Sequence, residues 1–376
     1  MILCIADIHL GHKMHSSILE NGLTTSEEDT RNALDSVKQR AACDDIEMII
    51  CSGDFFHSSR PSAENIKWAI TWFKEIDTLG KPFYIIPGNH DITIYSNSLV
   101  FLKSLNTHNI HLIDDGISSI VWKDWSIYFI PFLAADSSKN KYASTLEALT
   151  SVMSVINSNT KSIIVAHIQE STSRLGTENM MLSRSVETIN IDTFFDTISE
   201  RAILLMGHMH MHQIYNKNDM TIVYPGSLTY MESLDCGQKK GYILLDQNGN
   251  IKFEEIQNIR KYKQYILPEN KNPVEFFSSI ELESNEVIFL KSHDDVIIDD
   301  SELNAFLKTQ NCKLAKISYT FNTLEEEKDI EVSEEEKNPL LYLEEWVSKE
   351  CKDNKEDIAE ILKLGKEYLF NEIEYD

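Results

Sequence analysis

An α/β fold, two mixed β-sheets packed face to face and covered by helices, is what the sequence predicts, on three observations. Short β-branched runs alternate with helical patterns from residue 1 to about 260, and some runs lie close enough to pair as hairpins. Each of five apolar runs, moreover, is followed within three residues by Asp, Asn or His. A strand end can hold one or two ligands in place, and several strand ends meeting at one sheet edge can build a metal site.

Along the chain, residues 2–6, 48–51, 83–86, 127–130, 162–166, 202–206 and 221–224 are predicted strands, being short and rich in Ile, Val, Tyr and Phe. Residues 29–40, 63–79, 98–107, 145–157 and 193–200 carry helical spacing, with Pro61 and Ser62 marking one entry. Residues 117–121 with 127–130, and 241–245 with 251–255, are close enough for hairpins, the second pair joined across Asn248-Gly249. Beyond Leu267-Pro268 a strand at 287–290, a helix near 301–307 and a strand at 313–319 form a small β-α-β pattern. A charge run over 325–337 is expected to be a solvated linker. Pro339 then opens a short helix bearing Leu340, Leu343, Trp346 and Val347, and Ile358, Ile361, Leu362, Leu364 and Leu369 fall at helical spacing in a second. The domain expectation is a catalytic domain over 1–265, a capping domain over 266–323, an acidic linker over 324–338 and a helical segment over 339–376.

The chain has 376 residues, 42% of them apolar, enough for a sizeable core and more than one ordinary domain. Its formal net charge of −25 argues against binding nucleic acid through a global field, so any such contact must be local or shared with a partner. The acid is uneven: residues 325–376 hold 19 Asp/Glu against 7 Lys/Arg, leaving a net −13 for the rest. Cys4, Cys43, Cys51, Cys236, Cys312 and Cys351 form no C-x-x-C pair, and buried free thiols in a reducing compartment are expected. Asp7 follows the first residues too closely for a cleavable signal, and no apolar stretch approaches the roughly 18 residues of a membrane span, so a soluble intracellular protein without membrane contact is expected.

The chemistry lies at the run ends. Asp7 and His9, two residues apart, project to the same side of an extended chain. Gly53 permits a tight exit that leaves Asp54 free to bridge two cations, and Gly88-Asn89-His90-Asp91 repeats the arrangement. His167 ends a fourth run; His208 and His210 follow a fifth. Carboxylate, amide oxygen and imidazole without thiolate suit Mn²⁺, Fe²⁺, Zn²⁺ or Mg²⁺ in two neighbouring sites. Such a pair can acidify a water and neutralise charge on phosphoryl oxygens. His90 is the candidate proton donor to the leaving oxygen, His57 a group that positions it or touches phosphate, and Asp91 a hydrogen-bond acceptor behind them. His12, His15 and His212 are left at the rim, and isolated His108, His111 and His293 are expected to be surface or hydrogen-bonded histidines. No P-loop, dinucleotide fingerprint or G-x-S-x-G occurs.

The set D-x-H, G-D, G-N-H-D, H and G-H-x-H resembles the calcineurin-like metallophosphoesterases. Asp7-Ile-His9-Leu-Gly11, Gly53-Asp54-Phe-Phe-His57 with Arg60-Pro61, and Tyr224-Pro-Gly226-Ser227 resemble their SbcD-type double-strand-break-repair nucleases in particular. The resemblance implies a four-layered α/β/β/α fold, two metal ions, commonly manganese, and nuclease activity on DNA in repair, recombination or replication. It implies Asp7, His9 and His210 at one metal, Asn89, His167 and His208 at the other, Asp54 between them, His90 as the catalytic histidine and His57 as its helper. It further implies an SMC-like ABC ATPase partner docked on the C-terminal helices, with Leu340, Leu343, Trp346 and Val347 as the face, unless these helices pack on their own chain. That places the protein in the cytoplasm or at the nucleoid. Separately, the helices of the 63–79 and 98–107 region are where a homodimer could form, unless their apolar positions belong to the core. The rivals are a phosphatase or cyclic-nucleotide phosphodiesterase on the same site, and a non-catalytic scaffold tethering DNA ends.

Overall fold

Alternate residues of the first strand enter two different cores: Ile2 and Cys4 pack with a second sheet, Leu3 and Ile5 with helices. This period of two, with apolar partners on both faces, explains why such strands read as unbroken hydrophobic runs. The computed structural model describes residues 1–93, 95–134, 142–156, 161–174, 188–191, 202–217, 220–269, 271–293 and 298–320.

The elements run β1 (Ile2–Ile5), α1 (Thr25–Ala41), β2 (Met48–Cys51), α2 (Ala63–Asp77), β3 (Phe83–Ile85), β4 (Ile110–Leu112), β5 (Ser118–Trp122), β6 (Trp125–Ile130), α3 (Thr145–Val155) and β7 (Lys161–His167). They continue with β8 (Gln169–Glu170), β9 (Thr188–Ile189), β10 (Ala202–Gly207), β11 (Gln213–Lys217), β12 (Met220–Tyr224), β13 (Gly241–Leu245) and β14 (Ile251–Glu255). Last come β15 (Tyr262–Ile266), α4 (Pro273–Ser278), β16 (Val287–His293), α5 (Asp300–Thr309) and β17 (Lys313–Thr320).

One six-stranded sheet has the order β14-β13-β1-β2-β3-β4, the other β11-β12-β10-β7-β6-β5. In each the central strands are parallel; antiparallel pairs close both margins of the second sheet, β5 with β6 and β11 with β12, and one margin of the first, β13 with β1 and β14, while β4 joins β3 in parallel at the other. Between the sheets Ile50 and Ile86 meet Ile127, Phe129, Val165 and Leu205. Leu34 and Val37 of α1 and Trp72 and Phe73 of α2 cover the outer face of the first sheet; Leu149 and Met153 of α3 cover the second. The fold is therefore α/β, layered helix, sheet, sheet, helix. Parallel strands all end at the same edge, so the exits of β1, β2 and β3, and of β7 and β10, are brought side by side.

The terminal β-α-β pattern is larger than the sequence indicates. β15, β16 and β17 form a parallel sheet with α4 and α5 as crossovers, closing over Leu267, Phe277, Leu290, Leu303 and Leu307. β15 has no clear sequence signal, since Tyr-Lys-Gln-Tyr-Ile is neither an unbroken apolar run nor a strict alternation of polar and apolar residues.

Three expectations need correction. α1 begins at Thr25, because Thr24 and Glu27 make a reciprocal capping box upstream of the apolar spacing. The helix expected over 98–107 is only a short 3₁₀ turn, Val100–Ser104, and Asn106 takes a positive φ of 31° just beyond its end, a conformation through which a helix does not continue. Cys43 is exposed, although Cys4, Cys51 and Cys312 are buried and all described cysteines are free. The helix expected over 193–200, the acidic run and the segment with Leu340, Leu343, Trp346 and Val347 lie outside the described residues. Among the described residues no helix is long and apolar enough to cross a membrane.

Glu170, fully buried at the end of β8, is a charge held against β11 of the second sheet. Burial opposes its ionisation, but hydrogen bonds from Thr172, Lys217 and Tyr215 outweigh it and hold the carboxyl at about 2. A depressed folded-state value contributes stability that is present above the ordinary carboxylate range and lost as pH falls toward the folded value. Acid titration of folding is thus expected to show loss of stability between about pH 4.5 and 2. In Glu170→Gln, denaturant melts across that window should give a flatter pH profile than the native protein; an identical slope would contradict the assignment.

Candidate metal centre

The exits of β1 and β2 hold each other. The amides of Asp7, His9 and Leu10 donate to the carbonyls of Gly53, Asp54 and Phe55 at 3.1, 3.0 and 2.9 Å. Asp7, His9 and Asp54 sit in the left-handed region with φ of 50°, 50° and 53°, and His208 has φ 93°. Asp7 and His9 therefore face one cluster through a coiled exit and not through strand alternation. Backbone strain of this kind persists only where the surroundings impose it, and it gathers at functional sites.

Two glycines are required by close approach. A Cβ on Gly88 would lie 2.2 Å from Asp54 Oδ1, and one on Gly207 would lie 2.2 Å from the Ser52 carbonyl oxygen. The β3 exit is fastened by Asp91, which is fully buried and accepts from the amides of Phe55, Phe56 and Gly88 at 3.1, 2.9 and 3.0 Å. The His90 amide donates to Asp54 Oδ1 at 2.8 Å, so the loop bearing Asn89 and His90 is fixed to the loop bearing Asp54.

The second sheet supplies its histidines across the gap. His167 Nδ1 lies 2.9 Å from the Ser52 carbonyl, and its Nε2 lies 3.0 Å from Asn89 Oδ1 and 3.3 Å from Asp54 Oδ2. His210 Nε2 stands 3.1 Å from His9 Nε2, which is 3.6 Å from Asp54 Oδ2. The His208 amide donates to Asp7 Oδ1 at 2.9 Å, and its ring stands edge-on to His167 at 5.6 Å. All seven candidate ligands thus converge. His57 Nδ1 approaches His9 Nδ1 at 3.4 Å, while His90 stacks on His57 with Nδ1 3.0 Å from the His57 carbonyl.

Burial pushes His9 and His210 well below the imidazole range and takes His208 to about 3 and His57 to about 4. Burial would raise Asp54, but His167, His90 and His9 hold it well below its usual value. Burial would lower His167, yet Asp54 lifts it to about 9. Asp91 is raised to about 6 by burial and by the Asp54 charge.

These contacts fit a bound cation. With Nδ1 on the Ser52 carbonyl, His167 aims Nε2 at the Asn89 amide oxygen and the Asp54 carboxylate, a place where a divalent cation could take over the positive charge now carried by a proton. His9 and His210 meet nitrogen to nitrogen beside the same carboxylate. The ligand atoms of Asp7, His9 and His210 lie within 4.8 Å of one another, as do those of Asp7, Asp54 and His167. Neutral imidazole, carboxylate and amide oxygen are a donor set for borderline to hard divalent ions.

The rim histidines separate. His12, expected at the rim, is buried with its ring 4.9 Å from His57. His15 bonds Glu232 at 3.0 Å, and His212 stacks on Phe253 at 4.2 Å. His111 stacks on Tyr84, an ordinary packing role.

The sequence profile of the calcineurin-like phosphoesterases matches residues 1–226, the span that carries every one of these strand exits. The chain belongs to this family. As a calcineurin-like phosphoesterase it is a phosphoester hydrolase whose His and Asp groups are arranged to take divalent metal. It is 23% identical over 365 residues to the DNA double-strand break repair protein Mre11 of Archaeoglobus fulgidus, covering 88% of this chain and 76% of that one. It is 24% identical over 270 residues to a component of the nuclease SbcCD of Staphylococcus epidermidis, covering 66% of each. A dimetal phosphatase from Danio rerio overlaps with a TM-score of 0.43 at 10% identity, covering 64% of this chain and 90% of that one.

Asp91→Asn is expected to destabilise the protein by about 1–3 kcal/mol, since an amide NH₂ would face a buried backbone donor. Urea denaturation checks this, and a change under about 0.5 kcal/mol would mean the loops are held otherwise.

Proposed function

We propose that this phosphoesterase is a DNA nuclease working with two divalent ions, most readily Mn²⁺ with Mg²⁺, Fe²⁺ and Zn²⁺ as alternatives, in break repair, recombination or replication. The observation that carries the reading is His57, placed between a candidate ligand, His9, and the candidate proton donor, His90. Of the two relatives, one is named a DNA double-strand break repair protein and the other a nuclease subunit, which supports the choice of DNA.

Asp7, His9 and His210 would hold one ion, Asn89, His167 and His208 the other, with Asp54 shared. When bound, the ions would supply charge neutralisation at the phosphoryl oxygens and acidify water. The protein's own part is to orient and to move a proton. With His9 Nε2 turned to the cradle, its Nδ1–H is the donor to His57 Nδ1, which fixes His57 with hydrogen on Nε2. His90 gives Nδ1–H to the His57 carbonyl, and once also protonated at Nε2 it can donate to the departing oxygen of the phosphodiester.

The remaining proposals concern assembly. An SMC-like ABC ATPase of the SbcC type is the proposed partner, docked through Leu340, Leu343, Trp346 and Val347, with residues 1–265 as the nuclease domain and 266–323 as its cap. A net charge of −25 keeps DNA contact local or shared with that partner.

Purified protein with Mn²⁺ is expected to degrade oligonucleotides, and His90→Gln to lower turnover by about 10²–10⁴-fold while calorimetric Mn²⁺ binding is kept. Intact single- and double-stranded DNA alongside rapid hydrolysis of small phosphate esters or cyclic nucleotides would instead make it a small-substrate phosphoesterase.

A further inference from the structure

Lys240 is 2% exposed, and its ammonium is surrounded by oxygen. Nζ donates to the His210 carbonyl at 3.2 Å, Ser227 Oγ at 2.9 Å, Asp235 Oδ1 at 2.8 Å and Gln238 Oε1 at 2.9 Å, with the Tyr230 ring 5.6 Å away. Asp235 is buried in turn and accepts the amides of Met231 and Glu232 on its other oxygen.

The placement matters more than the ion pair. Lys240 immediately precedes β13, which runs antiparallel to β1 in the first sheet, so it lies toward the β1 end that leads to Asp7 and His9. Its acceptors His210 and Ser227 follow β10 and β12 of the second sheet. The Ser227 amide also donates to the His210 carbonyl at 3.0 Å. One side chain therefore ties the loop carrying a ligand of the second sheet to the end of the first, where that ligand's neighbours Asp7 and His9 arise.

A buried ion pair is weak evidence for stability, because apolar residues of similar volume often serve as well. What an ammonium adds is direction: three hydrogens shared among four oxygens fix a carbonyl more tightly than packing does. Partners that orient metal ligands typically alter metal affinity by about 10–100-fold when removed.

We propose that Lys240 is a cross-sheet clamp and positioning residue, holding the His210 loop in register with Asp7 and His9 so that the cradle is preformed. The proposal rests on the metal-site reading above. Glu232, whose amide is held by Asp235, bonds His15, and His15 packs on Phe289 and accepts from Lys313 at its carbonyl. The clamp thus adjoins the contact with the β15-β16-β17 sheet.

Lys240→Met alone would leave Asp235 charged and buried, so the test variant is Lys240→Met with Asp235→Asn, and Lys240→Arg is the conservative companion. Each full-length protein is titrated with MnCl₂ by calorimetry, and its metal-free thermal midpoint is recorded. The expected result is Mn²⁺ affinity weakened at least fivefold in the double variant, with a smaller loss in Lys240→Arg. Affinity within fivefold of the native protein, even with a lower metal-free midpoint, overturns the proposal and leaves Lys240 a purely structural residue. If the double variant does not fold, Lys240→Arg decides: any weakening beyond twofold supports the clamp and a smaller one overturns it. Native protein that binds no Mn²⁺ would sink the metal-site reading itself, which is a separate outcome.

Discussion

Asp54 carries a carboxylate into the interior with 1% of its surface exposed, and most of the site follows from that. A buried anion is costly unless it is paired and hydrogen-bonded. Here one oxygen takes the His90 amide, while the other faces His9 and His167 from two different sheets. No single strand end could surround the group in this way. The two-sheet architecture brings enough strand exits to one edge to do so.

The same constraint explains the local departures from regular structure. Gly88 must approach Asp54 closely, Gly207 must approach Ser52, and Asp7, His9, Asp54 and His208 all take positive φ. Such strain needs rigid surroundings, and two cores beneath the exits, one between the sheets and one under α1 and α2, provide them. Asp91 converts three backbone amides of neighbouring exits into one fastening, so the loops move together or not at all. His57 and His90 are then held relative to the cradle by backbone contacts as well as by ring stacking.

Much of this was legible in the residues themselves. Strands buried on both faces, such as Ala202–Gly207, read as unbroken apolar runs, and chemically distinctive groups at their ends stand out against that background. The turn at Asn248-Gly249 was legible because Gly249 takes a φ of 90° within a tight hairpin. Other features left no local trace. Gln213–Lys217 is an edge strand with mixed polarity, and Ile110–Leu112 is too short to show a period. The 98–107 segment has apolar spacing that suits a helix, yet Asn106 takes a left-handed φ of 31° that no local pattern announces, and the turn stops at Ser104. Lys240 lies in the polar stretch Gly-Gln-Lys-Lys-Gly and reads as a solvated turn; its burial depends on Asp235, Ser227 and His210, which only the tertiary fold assembles.

The central claim is that Asp54 stands between two cations drawn from ligands on both sheets. Crystals grown with Mn²⁺ and measured at the manganese absorption edge test it directly. The account predicts two anomalous peaks about 3.5–4 Å apart, one among Asp7, His9 and His210, the other among Asn89, His167 and His208, with the Asp54 carboxylate contacting both. A single peak, or peaks that leave Asp54 without a metal contact, would contradict it.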